Sequence, residues 1–230
     1  MGLTLHYELA APACPAAEAR ALVEALRKHA QSLPFDDVSE IIELKGEDCR
    51  SSRTNLNDPH GWLKVQTTRY MTDTGEITAA NERSPTHIIA FTVDPGEGSE
   101  VANFGLCQYP KATDWSWASF CKTQYASNPS TGDVANFLKC HLGLVALLDK
   151  AKEMGILGPV KDEGKYWDNR DVVALVKEVG MWNRMIAGFY GQLRDAVEAG
   201  GGDPRILASE IAKFQNYERL EAEGRKGETS

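Results

Sequence analysis

Cys121 is the side chain best suited to covalent chemistry in this sequence. It stands in the segment TDWSWASFCKTQYASN, next to Lys122. A nearby cation lowers a thiol's pKa, and the thiolate is the nucleophile. His141 follows, and Asp162 is available to orient its ring. Cys121, His141 and Asp162 therefore have the residue types of nucleophile, base and orienting acid. No glycine-flanked elbow surrounds Cys121. Free cysteines are commonly buried. His141 falls between Phe137 and Val145 on an apolar helical face, where a lone imidazole is often a hydrogen-bonded core residue rather than a catalyst.

A second chemistry is possible in DEGKYWD, where Asp162 and Glu163 precede Tyr166 and Trp167. Two carboxylates do acid–base work when burial separates their pKa values. As a solvated turn they would instead favour the positive end of the next helix. Aromatic residues offer a third possibility. If residues 113–128 are extended, Trp115, Trp117, Ser119, Cys121, Thr123 and Tyr125 share one face. With Tyr166 and Trp167, the residues Trp115, Trp117 and Tyr125 would wall a ligand groove, or else fill the core between sheet and helices.

Metal and phosphate chemistry have little to stand on. The histidines His6, His29, His60, His87 and His141 are scattered, with no HExxH and no CxxC. Cys140 and His141 are adjacent, and adjacent helical residues diverge by about 100°. No phosphate-cradling GxxxxGK[ST] or GxGxxG is present. Neither metal nor cofactor is expected.

The elements that must position these residues follow from periodicity. Leu3, Leu5, Tyr7 and Leu9 alternate with polar residues as a strand does. Ala19, Leu22, Val23, Leu26, Ala30 and Leu33 recur as on a helix, with Pro15 at its start and Pro34 at its end. Strands are predicted over Val38–Leu44, Trp62–Tyr70, Thr86–Val93 and Val101–Tyr109. The last two form a hairpin across Asp94-Pro95-Gly96, and a polar loop fills residues 46–59. The second half reads as helical. One helix carries Val134, Phe137, Leu138, Leu142, Val145 and Leu148 and ends near Gly155. A longer one spans about Asp171 to Ala199 and contains Gly180, Gly188 and Gly191. In a helix interior each glycine costs about 1 kcal/mol against alanine, so the helix breaks there or a neighbour approaches closely. Asp203-Pro204 starts a last helix, with Ile206, Leu207, Ile211, Phe214 and Tyr217 as its apolar stripe.

The expected fold class is α+β. It has a mainly antiparallel sheet of about five strands in the N-terminal half, helices packed on one face, and a helical C-terminal half. Residues 1–199 form one domain. Residues 200–222 are a linker and a helix packed on the domain or on a partner, and residues 223–230 are a disordered tail.

The chain has 230 residues and a formal net charge of −8. That sign disfavours nucleic acid and anionic membranes as partners. The sequence shows neither a secretory signal pattern nor an apolar run long enough to span a membrane. Its odd number of cysteines suits a reducing, cytoplasmic setting.

The strings SFCKTQYA, NFLKCHL, DEGKYW and EVGMWNRMIA, between about Trp115 and Ala187, resemble a family of uncharacterised bacterial proteins. The resemblance implies a shared fold and carries no activity, cofactor or partner. The leading functional expectation is a cytoplasmic module that binds a small molecule or protein in an aromatic groove and could form a homodimer. The alternatives are a cysteine-dependent hydrolase or transferase using Cys121 and His141, and a carboxylate enzyme using Asp162 and Glu163.

Overall fold

A computed structural model describes residues 3–51, 57–70, 82–204 and 207–227. The chain is α+β. Its elements in order are β1 (Thr4–Ala11), α1 (Ala16–Ala30), β2 (Asp37–Val38), β3 (Ile42–Lys45), α2 (Gly61–Thr67), β4 (Arg69–Tyr70), β5 (Glu82–Arg83), β6 (His87–Asp94), β7 (Ala102–Gln108), β8 (Trp115–Lys122), α3 (Asp133–Glu153), β9 (Leu157–Asp162), α4 (Tyr166–Asn169), α5 (Val172–Ala199) and α6 (Tyr217–Gly227). Seven strands form one antiparallel sheet in the order β2-β6-β7-β8-β1-β9, with β3 also paired to β6. β4 and β5 pair separately.

The register of β1 on β8 decides which residues are interior. Leu5 stands opposite Cys121, Leu9 opposite Trp117 and Ala11 opposite Trp115. Side chains alternate along a strand, so these share one face, and all are buried. Val23 and Leu26 of α1 and Leu144, Leu147 and Leu148 of α3 join them in a single core. On the opposite face His6 stands across from Phe120, and Glu8 from Ala118. Only part of that face is covered. There Gln66 of α2 donates to the Ala118 carbonyl (3.2 Å) and accepts from Asn103 Nδ2 (2.8 Å).

Several expectations need correction. Residues 61–67 are helical rather than extended, because the buried pair is Leu63 and Thr67, four apart on one helical face, while Val65 is exposed. The expected strand Val38–Leu44 is two short strands, both paired to β6. The sheet has seven strands because residues 38–44 supply two, β8 is a full strand, and β9, which lies in the supposedly helical half, joins its edge, while residues 61–67 supply none. The polar loop begins with a 3₁₀ turn at Gly46–Cys49, and residues 52–56 lie outside the described residues. Residues 207–209 are not helical, so no helix continues from Pro204 to Ile211. Glu210–Lys213 is a 3₁₀ turn and α6 starts only at Tyr217. Ile206 and residues 228–230 lie outside the described residues, whereas residues 223–227 are helical rather than disordered.

Two of the three glycines of α5, Gly188 and Gly191, take the second of the two options, and Gly180 takes neither. The helix is unbroken over Val172–Ala199. A Cβ on Gly188 would come within 2.9 Å of the Gly224 backbone in α6. The missing side chains let two helix backbones approach, and Ile211, Phe214 and Leu220 pack with Ala187 along the same junction.

Candidate functional site

The sequence-predicted acid and base do meet. His141, on the interior face of α3, has Nε2 3.2 Å from Asp162 Oδ2 at the end of β9. Its Nδ1 lies 3.0 Å from Thr123 Oγ1, just past β8. Asp162 also accepts from the backbone N–H of Gly164 (2.7 Å) and of Trp167 (2.9 Å). An ionised carboxylate only accepts, so the ring proton sits on Nε2, and in the neutral ring Nδ1 accepts from the Thr123 hydroxyl. Burial pushes the Asp162 carboxyl up, but the imidazole and the two N–H groups outweigh it and hold it below the usual carboxylate range.

Every hydrogen-bonding position of His141 is thus taken, and its side chain and that of Asp162 have no exposure. The cluster ties the ends of two strands to a helix and to the turn that opens α4. It leaves no nitrogen free to accept a substrate's proton, and catalysis needs such a group within reach of the reacting atom.

Cys121 does not join this cluster. Its thiol donates to the Glu100 carbonyl (3.0 Å) and lies 3.6 Å from Ser99 Oγ. The residue is fully buried, and burial pushes the thiol up to about 12. The cation that thiolate chemistry needs is absent from these contacts: Lys122 Nζ turns to the Tyr125 ring, 4.3 Å from its centroid, and to its hydroxyl. Thr123 occupies the position beside His141 that was expected for the cysteine.

The carboxylates Asp162 and Glu163 diverge rather than converge. Asp162 points inward, while Glu163 Oε2 accepts the backbone N–H of Thr4 (3.1 Å).

The expected aromatic groove is not formed either. Trp115 and Trp117 are 1% and 2% exposed, and their indole N–H groups donate to the carbonyls of Cys14 and Asn103. Tyr125 packs edge-on against Phe214. Tyr166 and Trp167 sit on α4, beneath the guanidinium of Arg170. The two indoles are lost to a groove because the alternation that put them on one face put them on the core face.

A concavity opens instead on the reverse side of the same strands. A groove of about 920 Å³ has a floor of His6, Glu8, Ala118 and Phe120. Trp62, Val65 and Gln66 of α2 form one wall, with Val101 and Asn103 beside them. Pro159 and Lys161 of β9 form the other. The exposed fractions are high for apolar residues: Val65 63%, Phe120 53%, Val101 49% and Trp62 40%. A smaller hollow of about 530 Å³ adjoins it and shares Trp62, Val101 and Asn103.

Sequence reasoning missed all of this surface. The signal was present in β8, where Phe120 is out of phase with Trp115, Trp117 and Cys121. An apolar ring on the polar phase of a strand faces away from the core.

Comparison with protein-family models, with curated proteins and with solved structures finds no match to the chain in any of the three. Among the described residues, no helix is long and apolar enough to cross a membrane.

Proposed function

We propose that this chain is a binding protein that takes a small molecule with an apolar body into the groove on the outer face of β1, β8 and β9. The single observation that carries this reading is the convergence of Trp62, Val65, Val101 and Phe120, all substantially exposed, around one concavity of about 920 Å³. Ligand pockets typically measure about 300–1,000 Å³ and are mostly apolar with a few polar groups. Isolated exposed apolar residues are ordinary, but a contiguous patch marks an interaction surface. Covering one such side chain contributes about 1.5–3 kcal/mol at most, so a few together support useful affinity.

A binding role also fits what the polar residues do. The imidazole–carboxylate pair is fully engaged in holding β8, β9 and α3 together, on the core side of the sheet. The groove floor is thereby rigid, which limits the ordering cost of binding. In this reading the protein holds its ligand without transforming it, and the occupant is chosen by shape, apolar area and the few polar groups at the rim.

The test uses the neutral apolar dye N-phenyl-1-naphthylamine, whose emission rises in apolar surroundings. The expected result is saturable binding of one dye per chain. Phe120→Asn and Val65→Asn should each weaken it severalfold while leaving the thermal transition in place. Dye binding that is unchanged in both variants, or no binding by the folded protein, would overturn the reading.

A further inference from the structure

Resting on that reading, we infer that the groove's ligand is an organic cation, an ammonium group carried on an alkyl or aromatic body.

The charged groups around the apolar lining are Glu8, Glu100 and Lys161, with His6 as a titratable neighbour. Their placement is unequal. Glu8 is on β1, between β8 and β9, and so rises from the middle of the floor. Its carboxylate forms no ion pair or hydrogen bond among the described residues. Its stem is short, and Ala118 stands opposite it across the strands, so β8 sets no countercharge directly against it, while Arg69 on the same face is already engaged by Ser116 Oγ (3.1 Å) and by the Tyr109 ring. Glu100 adds a second carboxylate at the Val101 end, where it accepts the backbone N–H of Lys122 at 3.0 Å.

Lys161 is the opposing charge. It stands opposite His6 on β9, at the sheet's edge. A lysine stem carries its ammonium out to water at little cost, whereas the shorter stem of Glu8, an exposed residue, keeps its carboxylate close above the floor. The balance at the floor is therefore acidic, and the chain's net charge of −8 adds to it at longer range.

Two exposed aromatic rings share the same lining, Trp62 and Phe120. A ring face attracts a cation by about 0.5–1 kcal/mol at exposed sites. An anionic head would meet Glu8, and among the described residues that line the groove only the outward-reaching Lys161 could answer it. A neutral ligand would use the apolar walls and leave Glu8 unanswered. An ammonium satisfies the carboxylate and the rings together while its tail covers Val65 and Val101.

The experiment is calorimetric titration at pH 7 with three ligands sharing one tail: octylammonium chloride, octanol and sodium octanoate. Octylammonium is expected to bind about tenfold more tightly than octanol, from one carboxylate contact and one ring contact, and octanoate more weakly than octanol. Glu8→Gln should bring octylammonium down to the octanol affinity and leave octanol unchanged. Lys161→Gln should leave octylammonium binding intact or tighten it. Octanol binding with no advantage for octylammonium, or an advantage that survives Glu8→Gln, would overturn the cation assignment while leaving the apolar groove standing. Failure of all three ligands to bind would overturn both.

Discussion

Asp162 Oδ2 lies 3.2 Å from His141 Nε2 with both side chains sealed from solvent. The pair has the geometry of an enzyme's base and orienting acid, yet its remaining valences go to Thr123, Gly164 and Trp167. What decides its role is accessibility rather than residue type. A proton relay needs one end open to a substrate, and here both ends close on the protein's own chain.

Stability should therefore register the loss of this pair more than any activity does. Removing one partner of a buried pair leaves the other uncompensated, at a cost of about 3–5 kcal/mol. Asp162→Ala should lose about that much in urea unfolding, because it strands His141 and frees two backbone N–H groups. Thr123→Val removes one hydrogen bond and should cost about 1–2 kcal/mol. A loss below about 1 kcal/mol for Asp162→Ala would show that the pair contributes little to the fold.

Acid should weaken the fold over a definable window. Asp162 is held below its ordinary 3.8 in the folded chain. Glu43 is lowered from 4.5 to about 2 by Lys45, His87 and Arg20 around it. A depressed folded pKa means the unfolded chain binds the proton first. Each group's stabilisation is complete above the unfolded value and is lost as pH falls through the folded one. The urea midpoint should accordingly fall as pH drops from about 4.5 toward 2. Asp162→Asn and Glu43→Gln should each flatten that slope, and a slope as steep in both variants as in the parent would refute the assignment.

How much of this was legible depended on periods. The strand at Leu3–Leu9, the hairpin of β6 and β7, and the two long helices each carried a sustained period and were readable. The glycines of α5 were readable as a break or a close approach, and the sequence could not say which, or that Gly188 is where α6 rests. The segment at residues 61–67 was misread because Leu63, Val65 and Thr67 alternate like a strand, and only tertiary burial shows that Leu63 and Thr67 are the inward pair. β9 carries Gly158 and Pro159 among its six residues, which suppress any strand signal, and it is held from one side only, as proline at an edge permits. For the site, the sequence brought His141 and Asp162 together but could not say that Cys121 points elsewhere. A change of direction between Cys121 and Thr123, where β8 ends, decides which of the two meets the imidazole.

The cysteines offer a direct check on that geometry. Cys49, Cys107, Cys121 and Cys140 are buried and Cys14 is only half-buried. Burial raises the thiols of Cys49, Cys107 and Cys140 to about 11 and that of Cys121 to about 12. Thiolate, not thiol, reacts. With 5,5′-dithiobis(2-nitrobenzoate) at pH 8, the folded protein should show one fast thiol, removed by Cys14→Ser, and four that react only on unfolding. Fast labelling of Cys121 in the folded state would reopen the nucleophile reading.

Two glycines of the same helix should respond in opposite directions to the same substitution. A Cβ at Gly180 would meet only the end of the Arg184 side chain, at 3.5 Å, whereas one at Gly188 would lie 2.9 Å from the Gly224 backbone. Arg184 can move aside and a packed backbone cannot. Gly180→Ala should therefore recover much of the helix-interior penalty, stabilising by up to about 1 kcal/mol. Gly188→Ala gains the same propensity but forces α5 and α6 apart, and overpacking of that kind costs about 1–3 kcal/mol. The contact is local, so the loss should appear first as faster amide exchange in Tyr217–Gly227, with the sheet still protected. Equal stabilisation by both substitutions would mean that α6 does not rest on Gly188 in solution.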